Sequence, residues 1–162
     1  MILKSKKIHG RFIGQPISAQ NLFCDLPIKT NKRLAFIRQS KEIQKRKTIL
    51  EIGCFPQNFY VLRAGNAQII IKNQLNQKTL TRLVETKEII GLTQFLGNSP
   101  NETKVVTLST CYFDVFPCQE FLNLLKDEPE LCFRLVGILS SDLQFGYKSF
   151  ASTDFSSSTF EQ

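Results

Sequence analysis

Histidine is nearly absent. The 162-residue chain carries a single one, His9, in the basic N-terminal stretch MILKSKKIHGRF. A multi-histidine metal centre is therefore excluded, and no metal site is expected. Ser-His-Asp or Cys-His catalysis would have to use His9, which is far in sequence from any candidate nucleophile. The five cysteines, Cys24, Cys54, Cys111, Cys118 and Cys132, are odd in number, scattered, and form no CxxC pair. That spacing indicates neither a disulfide framework nor a zinc knuckle, and a reducing cytoplasm is the expected compartment. No apolar run approaches the roughly 20 residues that span a bilayer, and no apolar segment follows the basic N-terminus as in a secretory signal. Neither GxxxxGK[ST] nor GxGxxG occurs, so no phosphate-cradling loop of the α/β nucleotide folds is present. Together these absences point away from an enzyme and away from the membrane.

What is present suits one domain with a real core: 42% of residues are hydrophobic. The formal charge is +7, part of it concentrated in Lys29–Lys47, which holds eight Lys or Arg and one acid, Glu42. Such a stretch is a solvated basic surface or an attractant for nucleic acid, acidic protein or anionic lipid. It lacks the interleaved aromatics of a single-strand binder.

Residues 1–17 read as a basic arm, 18–150 as the folded domain, and 151–162 as a Ser-rich tail expected to be disordered. Ser18–Asp25 is expected to form a short helix. Thr30 or Asn31 is placed to cap a second, with Leu34 and Ile37 inward. Short β-like runs follow at Glu42–Lys45, Thr48–Ile52, Phe59–Leu62, Ala67–Lys72, Thr79–Val84, Lys104–Leu108 and Cys111–Phe116, with a hairpin tip at Asn73–Gln77. Gly53 and Gly65 mark turns. Between Val84 and Lys104 an apolar step enters Gly91, one helical turn covers Leu92–Leu96, and a polar loop runs from Gly97 to Glu102. Runs about ten residues apart favour a roll over βαβ units.

Pro117 is expected to open an amphipathic helix, and Asp127-x-x-Glu130 reads as a capping box with Pro129 in the first turn. Leu131, Leu135, Ile138, Leu139 and Leu143 then recur at helical spacing, with Phe133, Val136, Phe145, Tyr147 and Phe150 widening the apolar surface. A helix this broadly apolar asks for two neighbours, its own roll and a partner copy, so a homodimer through Leu131, Leu135, Ile138, Leu139 and Leu143 is expected. Cys24, Cys111 and Cys132 read as small core residues, Cys54 and Cys118 as exposed.

The order of elements, with LFCDLP at Leu22–Pro27, FYVLRAGNAQI at Phe59–Ile69, IIGLTQFLGNSP at Ile89–Pro100 and VFPCQEFLNLLKDEPEL at Val115–Leu131, resembles the effector domain of the Crp/Fnr, or cyclic nucleotide-binding, superfamily. The resemblance runs from about Leu22 to Leu143. It implies a mainly β fold, a double-stranded β-helix jelly roll of eight strands with short N-terminal helices and a long C-terminal helix. It also implies a phosphate cassette reading Phe-Gly-Glu, a helical turn, then Arg-Ser/Thr-Ala, in which Glu holds the ribose hydroxyl and Arg the cyclic phosphate. Aligned through Val105–Ser109, Gly91 keeps the glycine, but Leu92 stands at the Glu, Asn101 at the Arg and Glu102 at the Ser or Thr. The cation is gone and an acid stands near the phosphate position, so cyclic-nucleotide binding is disfavoured and no cofactor is expected. Against this, Lys104 and backbone amides near Gly91 could still grip a phosphate. The helix-turn-helix of family transcription factors does not follow Leu143, so specific DNA binding is not expected of this chain. Iron–sulfur sensing needs clustered cysteines, and Cys24 stands alone. The expectation is a non-enzymatic regulatory domain acting through dimerisation, protein contacts or a non-standard effector, in signalling or transcription.

Overall fold

The computed structural model describes residues 16–72 and 78–154, with side chains through Gln144. Two antiparallel sheets face one another. One has five strands, in the order β1 (Ile17–Ser18), β7 (Glu88–Ile90), β4 (Asn58–Ala64), β9 (Cys111–Pro117) and β2 (Gln39–Ile43). The other has four: β3 (Thr48–Leu50), β8 (Thr103–Thr107), β5 (Ala67–Lys72) and β6 (Thr79–Leu83). The helices are α1 (Ala19–Phe23), α2 (Ile28–Ile37), α3 (Leu92–Leu96), α4 (Cys118–Asp127) and α5 (Pro129–Asp154).

Strand alternation sorts the core into two. Leu62, Ala67, Ile69, Ile71, Ile90, Val105, Cys111, Phe113 and Val115 point between the sheets and fill the roll. Residues of opposite parity on the five-stranded sheet, Phe59, Val61, Ile89 and Phe116, face outward and are covered by Leu22, Leu34, Phe121, Leu124, Leu131 and Leu135 of the helices. Phe59 stacks on Phe116 with centroids 4.9 Å apart and meets Phe121 edge-on at 4.8 Å. Such pairs add about 0.5–1.5 kcal/mol beyond burial. The helical layer thus stops at Phe116, and further along β9 the outward positions Tyr112 and Asp114 have no helix over them.

Two glycines are required by geometry. Gly65 has φ +95°, and a Cβ there would lie 2.4 Å from the Thr110 carbonyl oxygen. Gly91 has φ +90° and stands immediately before α3, a left-handed position suited to glycine.

The runs expected at Ala67–Lys72 and Leu92–Leu96 match β5 and α3 residue for residue. Other expectations need correction. The domain begins before Ser18, because Ile17 is buried and pairs with Ile89. With β7 and β1 the described roll has nine strands rather than eight. Neither Thr30 nor Asn31 caps α2, whose first residue follows Pro27. Thr30 is buried inside the helix and its hydroxyl donates to Glu128 Oε2 at 2.8 Å. Asp127 closes α4, and its carboxylate accepts from Arg33 Nη2 at 2.7 Å instead of forming a capping box. α5 runs past Phe150 to Asp154, so the helix enters the stretch expected to be tail. The hairpin tip Asn73–Gln77 and the arm through residue 15 lie outside the described residues. Among the cysteines, Cys111 and Cys118 are buried while Cys24, Cys54 and Cys132 are exposed. Cys118 starts α4 right after β9, which turns it into the core, and burial pushes its thiol up to about 11.

Candidate functional site

The cassette occupies the crossover from β7 through α3 to β8. The αL backbone at Gly91 turns the chain from strand into helix and drops Leu92 into the core, 1% exposed, among the residues beneath the helices. Where a polar group would be needed for ligand contact, Leu92 contributes packing alone.

The loop after α3 is folded on itself and tied to the neighbouring turn. Gly97 and Ser99 N–H donate to Thr93 and Gln94 carbonyls, each at 2.9 Å. Asn101 is 4% exposed and bonds three times to the Glu51–Cys54 turn. Its N–H donates to the Cys54 carbonyl at 2.8 Å, its carbonyl accepts from Gly53 N–H at 2.9 Å, and its Nδ2 donates to the Glu51 carbonyl at 3.3 Å. Asn101 Oδ1 is buried without a partner. Glu102 is exposed. Lys104 lies on β8 opposite Ile70, and its Nζ is 2.9 Å from Glu51 Oε2. That hydrogen bond is the main reason the Glu51 carboxyl is held below its ordinary value.

Both ends of the cassette therefore meet at Leu50–Cys54. Gly91 lies against Leu50, where a Cβ would come 3.5 Å from Leu50 Cδ1, and Asn101 and Lys104 bond Glu51. The structure brings Gly91, Leu92, Asn101, Glu102 and Lys104 onto one crossover. Glu51 and Glu102 supply two carboxylates; of the cations, Lys104 is already paired with Glu51, and Lys72 also lowers the Glu51 carboxyl. A phosphate diester finds no free guanidinium here and two like charges nearby.

The C-terminal helix divides its leucines. Leu131 and Leu135 are buried in the chain's own core and Ile138 and Leu139 pack partly against it, whereas Leu143 is 74% exposed. Phe133 and Val136, 77% and 54% exposed, stand with Leu143 on the outward side. Of the five residues expected at a dimer interface, only Leu143 is exposed; with Phe133 and Val136 it forms the open face, while Leu131, Leu135, Ile138 and Leu139 serve the chain's own core.

Two ionic clusters escaped the sequence reading. Arg82 of β6 binds Glu88 of β7 with both guanidinium ends, at 2.6 and 2.9 Å, and Glu88 Oε2 also accepts from Glu85 N–H at 2.9 Å. Glu88 is 3% exposed and ties the two sheets together. On β9, Asp114 sits beside Arg63 Nη1 at 3.1 Å, Ser40 Oγ at 3.3 Å and Arg38 Nη1 at 3.8 Å. An acid inside the apolar run CYFDVFP was the one visible hint of that cluster.

The cyclic nucleotide-binding domain family matches residues 40–128, more than half of the chain and the whole of the cassette. The chain belongs to the cyclic nucleotide-binding domain family. Solved structures share the fold at low identity. The catabolite activator protein of Thermus thermophilus has a TM-score of 0.72 at 18% identity, over 83% of this chain and 63% of that one. The sensor domain of the transcriptional regulator DNR from Pseudomonas aeruginosa has 0.67 at 17%, over 79% and 86%. A mutant regulatory subunit of a cAMP-independent protein kinase A from Trypanosoma brucei, bound to cAMP, has 0.61 at 17%, over 72% and 43%. This cyclic nucleotide-binding domain thus spans less than two thirds of the activator protein it matches. No curated protein sequence matches it. Among the described residues no helix is long and apolar enough to cross a membrane.

Proposed function

We propose that this domain is a non-enzymatic regulatory module of the cytoplasm whose cyclic-nucleotide site is degenerate. It acts as a homodimer, through protein contacts or a non-standard effector, in the manner of a transcriptional or signalling regulator. The observation that carries the reading is the state of the cassette. Leu92 is packed into the core, Asn101 is bound to the Glu51–Cys54 turn, and Lys104 is paired with Glu51. Losing one charge-assisted phosphate contact costs roughly 1.5–3 kcal/mol, before the repulsion of Glu102 is added. A regulatory subunit of a cAMP-independent protein kinase A from Trypanosoma brucei shares the fold, which is in keeping with a roll that regulates without that ligand, whereas the form of it bound to cAMP carries three substitutions.

Dimerisation is supported by the outward face of α5. Phe133, Val136 and Leu143 are large, apolar and exposed, and with Ser140 they repeat at alternating steps of three and four residues. The sequence continues that spacing to Tyr147 and Phe150. A two-stranded coil of identical helices buries such a stripe.

Calorimetry with cyclic AMP and cyclic GMP tests the degenerate site: no saturable heat is expected. Micromolar binding that Lys104→Ala abolishes would overturn the reading in favour of a working site built on Lys104 and backbone amides. Sedimentation equilibrium tests the assembly, with dimer mass expected.

A further inference from the structure

Beyond the cassette, the roll carries a concave surface on the outer face of its five-stranded sheet, where the helical layer ends. The cavity is about 410 Å³ and is lined by Arg38, Ser40, Glu42, Arg63, Tyr112 and Asp114 among others. Arg38 caps the C-terminal end of α2, and the others come from β2, β4 and β9, neighbours in the sheet. At its floor Asp114 is 7% exposed, and its two oxygens are taken by Ser40 Oγ and Arg63 Nη1, with Arg38 Nη1 at 3.8 Å.

We propose that this cavity binds a small, multiply charged oxyanion, a phosphate ester or a polycarboxylate, between Arg38 and Arg63. Each guanidinium carries five N–H donors in a planar fork. Asp114 holds one terminal nitrogen of Arg63 by a hydrogen bond from a buried point and attracts Arg38 as an ion-pair partner at 3.8 Å. The remaining donors are left for a second acceptor, and their side chains stay 45% and 59% exposed. Paired guanidiniums, one of them held by Asp114, favour bidentate oxyanions over halide or a lone neutral acceptor. Glu42 lies at the strand end opposite Tyr112, displaced from Asp114 along β2. It places a carboxylate and an aromatic ring where the uncharged part of a ligand would lie. The surrounding field is also favourable, because the basic stretch Lys29–Lys47 contains Arg38 and runs through β2, with Lys45, Arg46 and Lys47 just beyond. That stretch finds a role as the electrostatic approach to the cavity.

NMR titration of the labelled chain with pyrophosphate and, separately, citrate at about 150 mM salt tests the proposal. Saturable shifts are expected at Tyr112, Arg63 and Ser40 with at least one of the two, and which one responds assigns phosphate ester or carboxylate. Arg63→Gln and Arg38→Gln are each expected to weaken binding about fivefold, a magnitude suited to half-exposed charges. Lys126→Gln, an exposed residue of α4 outside both the basic stretch and the lining, should leave it unchanged. Thermal melts confirm that the variants fold. Absence of saturation with both probes, or equal loss in Lys126→Gln, overturns the site.

Discussion

The Lys104 ammonium lies 2.9 Å from the Glu51 carboxylate, across from the loop where a phosphate would need a cation. Glu51 is held below its ordinary value first by this hydrogen bond. A carboxyl depressed in the folded state contributes stability above its unfolded value, and loses it as pH falls through the folded one. Lys104→Ala should raise the Glu51 titration towards its ordinary value, with the Ile52 backbone and Lys72 still lowering it, and reduce its share of the acid-side stability slope, as read by carbon-detected NMR. An unchanged Glu51 midpoint would show that the pair does not persist in solution.

If the cassette fails through its side chains, it should be repairable. Asn101→Arg with Glu102→Ser restores the cation and removes the opposing acid. A charge-assisted phosphate contact is worth about 1.5–3 kcal/mol, so calorimetry should show cyclic AMP affinity rising about 10- to 100-fold over the parent. Leu92→Glu is different. At 1% exposure the new carboxylate enters the core beneath the helices, and urea denaturation should show a loss of about 3 kcal/mol or more. Because Asn101 is nearly buried, an absence of gain places the defect in the backbone of the loop only where the double variant melts like the parent.

The sequence made β5 and α3 legible because each carries a clear local signal: alternation at Ala67, Ile69 and Ile71, and a glycine entering one helical turn. β1 and β7, two and three residues long, carry no period to read, and their pairing at Ile17–Ile89 is purely long-range. Leu92 and Asn101 could be read directly from the sequence, but the Lys104–Glu51 pair could not. It depends on which strand passes beside β8. The same reason hid Asp114, whose partners Ser40 and Arg63 lie 74 and 51 residues away. The leucines of α5 misled because period alone names two faces and only packing decides which one the roll takes.

Arg82 and Glu88 pin one sheet to the other inside the roll. With Arg82→Ala, Glu88 keeps only the Glu85 N–H and remains a nearly buried, uncompensated charge. Breaking such a pair costs about 3 kcal/mol, moderated here because Arg82 itself is 31% exposed. Replacing both together, Arg82→Leu with Glu88→Leu, should recover most of the loss, since two apolar groups leave no orphaned charge. A double-mutant cycle in urea checks both. Equal losses in the single and the double variant would mean that Glu88 is not strained by removal of its partner.

The two faces of α5 should separate stability from assembly. Leu135 is 4% exposed and packs with Leu131 and Phe121 in the chain's own core, so Leu135→Asp should unfold the domain or lower its stability by about 3–5 kcal/mol, whatever its partner state. Phe133→Asp and Leu143→Asp touch a face that the chain leaves open, so neither should destabilise a monomer appreciably. In a dimer each would bury a charge against its own symmetry mate, because an isologous interface meets every substitution twice. Sedimentation at several concentrations should therefore show dimer for the parent and monomer for Phe133→Asp and Leu143→Asp, with melts of the variants no longer rising with concentration. Retained dimer mass in both variants would move the interface off the Phe133–Leu143 stripe. A parent that is monomeric at every concentration would remove dimerisation and leave the degenerate cassette standing on its own geometry.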